Sequence, residues 1–169
     1  PETALPFYFT DILEKGSFYP AILSENVPVL LGGFYQTKKG YTNSLLMITG
    51  DGKLLDRFDK IKLVPLGEYI PFESVLGNFI DRLSPLEAHL EKGEKNQTLD
   101  TPLGRVIVGI CYESAYSQHF RDQAKKGGEW MVTASNDSHY SPAMLSQHHA
   151  LDVMRAIETD RWLARATNT

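Results

Sequence analysis

The chain has 169 residues and a formal net charge of -4, which suits one compact domain with a core of its own. Its basic residues are scattered rather than clustered, so we expect no nucleic-acid partner. The single cysteine excludes an internal disulfide. The sequence shows no signal peptide, and no apolar stretch approaches the roughly 18 residues that a membrane-spanning helix needs.

The first half of the chain is rich in predicted strands. The apolar run 27–35 predicts a buried strand. Residues 41–58 predict a β-hairpin that turns at 50–52. Two prolines and a glycine then make residues 59–71 an ordered loop.

An amphipathic pattern from 72 to about 90, broken by Pro85, predicts two short helices. Its apolar residues are expected mainly to pack in the core, and the sharper hypothesis is that part of this segment faces lipid and guides acyl chains. The apolar set is Ile70, Phe72, Val75, Leu76, Phe79, Ile80 and Leu83.

The second half alternates strands and helices. Strands are predicted at 104–111, at 129–135 and in the last residues, with helices at 114–126 and 142–158 between them. The second helix carries Leu151, Met154 and Ile157 on one face. This alternation is typical of an α/β protein, and the hairpin-rich first half predicts mixed sheets.

Cys111 lies where a buried strand ends and a helix begins, the position at which α/β folds place reactive groups. The N–H groups of the following helix would lower the pKa of the thiol and help to hold an oxyanion. A small buried structural cysteine is the alternative, and position alone leaves both interpretations open.

A nucleophilic cysteine in acyl transfer needs a base and a group that faces the developing oxyanion. Lys60 or Lys62 can supply the cation, and Glu68 lies on the rigid loop that follows them. Taken alone, these three residues are better explained as surface groups.

Three segments in order resemble those of the nitrilase (carbon–nitrogen hydrolase) superfamily. The three segments are Pro1-Glu2-Thr3-Ala4, the stretch from Lys60 to Pro71, and Ile110-Cys111-Tyr112-Glu113. A further segment, Ser135-Asn136-Asp137, resembles a fourth segment of that superfamily. The sequence 63–71 (LVPLGEYIP) is most similar to the apolipoprotein N-acyltransferase branch. The resemblance implies a nitrilase-like αββα sandwich, incomplete at both ends.

The resemblance also implies roles for individual residues. Glu2 is then the general base and acid, Lys60 stabilises the oxyanion, and Cys111 forms a thioester. Glu68 and Glu113 become supporting carboxylates that position Lys60 or close the site, and the backbone at Cys111 or its neighbours completes the oxyanion hole. The candidate substrate-binding residues are Tyr112, Asn136, His139 and Tyr140.

The expected reaction transfers a fatty acyl group from a phospholipid, through Cys111, to the α-amine of an apolipoprotein's N-terminal cysteine. We expect residues 1–169 to form a single catalytic domain, a fragment of a longer bacterial membrane protein. That domain would lie on the periplasmic side of the inner membrane and reach the membrane surface through flanking segments.

Metal and cofactor chemistry is not expected. His148 and His149 are adjacent and so point in different directions on a helix, and no His-Glu-x-x-His spacing occurs. With His139, they are interpreted as groups on the helix surface or the edge of the pocket.

Two other functions stay open from the sequence. One is a carbon–nitrogen hydrolase of the same superfamily, with a small amide as substrate and water as acceptor. The other is a catalytically silent nitrilase-like domain that acts as a binding or assembly module.

Overall fold

Seven strands and two α-helices are present in the computed structural model, which describes residues 2–4, 8, 25–65, 67–69 and 90–168. The strands are β1 (Val29–Gln36), β2 (Tyr41–Ile48), β3 (Leu54–Asp59), β4 (Leu99–Thr101), β5 (Gly104–Ile110), β6 (Trp130–Asn136) and β7 (Leu163–Asn168). A 3-10 turn, Cys111–Ala115, and helix α1 (Ser117–Lys125) follow β5, and helix α2 (Pro142–Thr159) follows β6.

The first sheet has the order β1-β2-β3, with every pair antiparallel. The predicted hairpin is confirmed, and Gly52 takes a positive φ of 83° in its turn, where an L side chain would be strained. Alternate residues of β2 point to opposite faces. Leu45 and Met47 face one apolar cluster, while Leu46 and Ile48 face another.

The second sheet has the order β4-β5-β6-β7. Strand β4 is antiparallel to β5, whereas β5, β6 and β7 are parallel to one another. The predicted mixed character is therefore confirmed. Strand β4 was not predicted, because three residues are too few to show an apolar periodicity.

The two sheets pack face to face around one apolar cluster. Phe58 from the first sheet and Val106, Val108 and Ile110 from the second are buried in it. Phe120 of α1 covers the opposite face of the second sheet, against Ile107 and Met131. This layered arrangement brings the ends of β3, β5 and β6 together, and the candidate site lies there.

Helix α2 departs from the expected amphipathic pattern. Its existence and bounds were predicted correctly, but its buried residues are His148, Asp152 and Arg155. Met154 and Ile157 of the apolar face are 48% and 69% exposed. These three residues are separated by four and three positions, which places them on one face of the helix. Helix α2 therefore turns a polar face toward the interior.

The helices predicted between 72 and 90 and the apolar set from Ile70 to Leu83 lie outside the described residues. Within the residues that are described, no helix is both long and apolar enough to cross a membrane.

Candidate active site

Cys111 is the first residue after β5 and has a left-handed backbone conformation, with φ of 51°. Only glycine adopts this region without strain, and another residue there costs about 1–3 kcal/mol. The predicted strand end is confirmed. The predicted helix is not continuous from 114, because a 3-10 turn from Cys111 to Ala115 comes first and α1 begins at Ser117.

The predicted lowering of the thiol pKa is wrong. Burial of the side chain raises the pKa of Cys111 to about 12, the charge of Glu2 raises it further, and Lys60 only partly opposes them. Burial disfavours the thiolate because a charge loses its hydration there. Cys111 is therefore a neutral thiol at rest, and it needs a base to become a nucleophile.

Lys60 follows β3 and is 1% exposed. Its Nζ lies 2.9 Å from Oε1 of Glu2 and 2.7 Å from Oε1 of Glu68. Burial alone would lower the pKa of Lys60, but the two carboxylates outweigh it and raise that pKa. Lys62 is exposed and lies over the ring of Tyr116, so Lys60 is the lysine at the site.

Asn43 of β2 is a site residue that sequence reasoning missed. Its Nδ2 donates to Oε1 of Glu2 at 2.6 Å and to Oε1 of Glu68 at 3.3 Å. Both carboxylates thus share two donors, the Lys60 ammonium and the Asn43 amide. The available signal was a run of polar residues, 42–44, in a strand whose second half is apolar.

Glu113 is fully buried and does not contact the ammonium group of Lys60 directly. Its Oε1 accepts hydrogen bonds from the backbone N–H of Ile61 and Lys62, at 2.7 and 2.9 Å. Its Oε2 accepts from the N–H of Ile110 at 2.9 Å. One carboxylate therefore joins the loop after Lys60 to the strand before Cys111.

Glu2, Lys60, Glu68 and Cys111 line one open cleft of about 430 Å³. Three of the four predicted substrate-binding residues, Asn136, His139 and Tyr140, line it as well.

The fourth, Tyr112, lies instead in an adjoining groove of about 140 Å³, which shares Tyr140 with the cleft. The hydroxyl of Tyr140 lies 3.9 Å from Sγ of Cys111. Burial of the side chain raises the pKa of Tyr140 to about 12, and the neighbouring Cys111 is the second cause of this rise.

A cluster of buried charges lies behind Cys111, and the sequence interpretation missed it. His148 was expected at a surface or pocket edge, but it is 8% exposed and contacts the Cys111 carbonyl oxygen and Asp137. Arg165 joins Asp137 to Asp152. Polar residues at helical spacing in α2, at 148, 152 and 155, were the available signal. His139 and His149 are exposed.

The described residues contain no group of three or more His, Cys, Asp or Glu side chains arranged to hold a metal ion. The reactive groups of the cleft are the Cys111 thiol, the Glu2 and Glu68 carboxylates and the Lys60 ammonium. Together they can deprotonate a sulfur nucleophile and face the negative charge that develops on an attacked carbonyl.

The fold is that of the nitrilase superfamily. The NitFhit protein of C. elegans superposes with a TM-score of 0.69 at 22% identity, over 95% of this chain and 37% of that one. Nit3 of Saccharomyces cerevisiae, a member of branch 10 of the nitrilase superfamily, gives 0.57 at 23% identity, over 85% of this chain and 45% of that one. The carbon-nitrogen hydrolase family model matches residues 1–169, and the chain belongs to that family.

Curated relatives are similar over the whole chain. The apolipoprotein N-acyltransferase of Synechocystis sp. is 56% identical over 169 residues, and that of Nostoc sp. is 53% identical. Each alignment covers all of this chain and 33% or 34% of the relative. The chain thus spans about a third of the length of these curated relatives.

Proposed function

We propose that this chain forms the catalytic domain of an apolipoprotein N-acyltransferase, in which Cys111 carries a fatty acyl group as a thioester. One observation carries the chemistry: a buried neutral thiol lies beside the Glu2 carboxylate, which is paired with the Lys60 ammonium. The 56% identity to an apolipoprotein N-acyltransferase supports the choice of substrates.

In the first half-reaction, Glu2 takes the proton of the Cys111 thiol as Sγ attacks the ester carbonyl carbon of a phospholipid. The Lys60 ammonium faces the oxygen that becomes negative. When the tetrahedral intermediate collapses, the ester C–O bond breaks. Glu2 returns its proton to the departing oxygen, which leaves a lysophospholipid and a thioester on Cys111.

In the second half-reaction, the α-amine of the lipid-modified N-terminal cysteine of an apolipoprotein attacks the thioester. Glu2 accepts a proton from the amine and delivers it to Sγ as the C–S bond breaks. The products are an amide and a regenerated thiol. A thioester is activated enough for an amine to attack, and it persists if water is kept out of the cleft.

Glu68 and Asn43 contribute by arranging the charges. Glu68 offers Lys60 a second carboxylate, and its Oε2 accepts from the N–H of Val64 at 2.8 Å, which fixes it to its own loop. Asn43 holds the carboxylates of Glu2 and Glu68 toward the same ammonium. Lys60 therefore stays charged and in place for the oxyanion.

The substrates place the enzyme at a membrane. A phospholipid donor and a lipid-modified acceptor both reside there, so the cleft works at the bacterial inner membrane, facing the periplasm. The phospholipid and the apolipoprotein are its partners, and the reaction uses no cofactor.

Intact mass spectrometry tests the proposal. The full-length product of the gene is incubated with a phospholipid vesicle and no acceptor, and we expect a fatty-acyl adduct that disappears in Cys111→Ala. Glu94→Gln, an exposed change outside the cleft, should keep the adduct. Release of ammonia from a small amide without any adduct would favour a hydrolase, and neither activity would favour a silent binding module.

A further inference from the structure

His148 contacts the nucleophile's backbone from inside the protein. Its Nε2 lies 3.0 Å from the carbonyl oxygen of Cys111, and its Nδ1 lies 3.1 Å from Oδ1 of Asp137. The side chain is on α2 and is nearly fully buried. Neither contact belongs to the Glu2, Lys60 and Cys111 chemistry described above.

Both partners of the imidazole are hydrogen-bond acceptors. A backbone carbonyl oxygen has no hydrogen to donate, so Nε2 of His148 must be the donor to Cys111. Asp137 forms an ion pair with Arg165, and a carboxylate in an ion pair only accepts hydrogen bonds, so Nδ1 of His148 donates as well. A ring that donates from both nitrogens is an imidazolium.

The surrounding charges balance this assignment. Arg165 pairs with Asp152 as well as with Asp137, so two cations, His148 and Arg165, face two carboxylates. Buried charges persist when they are paired and hydrogen-bonded.

Neutral groups complete the cluster. Asp152 accepts from Ser114 Oγ at 2.5 Å and Thr133 Oγ1 at 3.0 Å. The described contacts of His148 include one more titratable group, Tyr140. The centroid of its ring lies 6.3 Å from the centroid of the imidazole.

We propose that His148 is a positioning residue, which as an imidazolium holds the left-handed backbone of Cys111 and so aims Sγ into the cleft. Glu113 accepts from the N–H of Ile110, the residue before Cys111, and His148 donates to the carbonyl oxygen of Cys111 itself. The strained backbone of Cys111 is therefore held on both sides. The kinetic part of this proposal rests on the proposed acyl transfer, whereas the charge state of His148 does not.

The kinetic test compares His148→Leu, His148→Gln and the control His149→Leu in the full-length protein, at a temperature where all are folded. His149 is the exposed neighbour on the same helix and lies outside the cleft. We expect His148→Leu to slow single-turnover acylation by phospholipid about 10- to 100-fold, with the KM for phospholipid unchanged, because a small misplacement of a reacting group has an effect of this size. The amide donor of His148→Gln should restore most of the rate.

Rescue by His148→Gln separates positioning from plain stabilisation, because a glutamine amide can donate to the Cys111 carbonyl oxygen whereas a leucine side chain cannot. Wild-type acylation by folded His148→Leu would overturn the positioning role, and so would equally slow acylation by folded His148→Leu and His148→Gln.

The charge state has an independent test in ¹⁵N NMR of the histidine-labelled protein. The His148 signals, assigned by their loss in His148→Gln, should show both ring nitrogens protonated at neutral pH. A neutral ring would overturn the assignment. If wild type forms no acyl adduct, the acyltransferase proposal fails. The positioning role is then tested by the rate at which iodoacetamide alkylates Cys111 in His148→Leu and in His149→Leu. Equal rates in the two variants would reject the positioning role.

Discussion

The Oε1 atom of Glu113 lies 2.7 Å from the backbone nitrogen of Ile61 and thereby ties the loop after Lys60 to the turn that begins at Cys111. The two segments are 52 residues apart in the chain. Three backbone N–H groups converge on this one carboxylate. The spacing between the ammonium and the thiol therefore depends on Glu113, although Glu113 contacts neither group.

Glu113→Gln should weaken both fold and catalysis. The amide nitrogen of the glutamine faces at least one backbone N–H that donates to a carboxylate oxygen in wild type. That N–H loses its acceptor, and an unsatisfied buried group costs about 1–3 kcal/mol. We expect a lower Tm and, below it, slower acylation of Cys111. Glu94→Gln, with an exposed side chain, is the matched control. An unchanged Tm would show that the carboxylate does not join the two segments as described.

The thiol reactivity of Cys111 should respond in opposite directions to two changes. The charge of Glu2 raises the pKa of the thiol and Lys60 lowers it. In Glu2→Gln the pKa should therefore fall and alkylation by neutral iodoacetamide at pH 8 should accelerate, even though acyl transfer is lost. In Lys60→Met, alkylation should slow.

Each unit of pKa corresponds to about a tenfold change in thiolate at a pH below the pKa. The rates are followed by mass spectrometry of the peptide that contains Cys111. If both variants shift the rate in the same direction, the electrostatic description of the site is wrong.

Alkaline pH should destabilise wild type more than Cys111→Ser. A cysteine thiol in water has an ordinary pKa of 9.0, whereas in the folded protein the pKa of Cys111 is about 12. Between these values the unfolded chain has lost the proton that the folded chain keeps, so stability falls as pH rises, in total on the order of 4 kcal/mol. Serine does not titrate in this range.

The measurement is the Tm of both proteins from pH 8 to the highest pH at which unfolding is reversible. The pKa of Lys60 is also raised, and it affects both proteins in the same direction. Parallel curves would contradict the assignment to Cys111.

Asp152→Asn should cost about 1–3 kcal/mol of folding free energy, because the buried Asp152 carboxylate, a charged partner of the half-buried Arg165, is replaced by a neutral amide that turns a donor toward groups the carboxylate accepts from. Asp160→Asn, at the exposed left-handed end of the same helix, is the control and should be nearly neutral. Thermal unfolding measures both. Equal Tm values for the two variants would mean that the cluster does not stabilise the fold.

His139→Ala should raise the KM for phospholipid by several-fold while kcat stays within about twofold, because the residue lines the cleft without a described contact to Glu2, Lys60 or Cys111. Steady-state kinetics with a labelled phospholipid measures both constants. A fall in kcat alone would place His139 in the chemical step rather than in substrate binding.

Apart from the short strand β4, the sequence by itself determined the order of the described strands and helices, the loop after Lys60 and the place of Cys111 at a strand end. Apolar periodicity and turn residues are local signals, and they are visible without the fold. The ordered segments around Glu2, Lys60 and Cys111 also indicated the family, which the match over residues 1–169 shows.

Only the tertiary structure decided how these segments meet. It brought Asn43 to the carboxylates of Glu2 and Glu68. It also raised the pKa of the Cys111 thiol, which the position of Cys111 in the sequence had suggested would be lowered. It also turned the polar face of α2 inward, where His148 meets Cys111. Desolvation and charge pairing depend on which atoms are neighbours in space, and no local pattern in the chain encodes them.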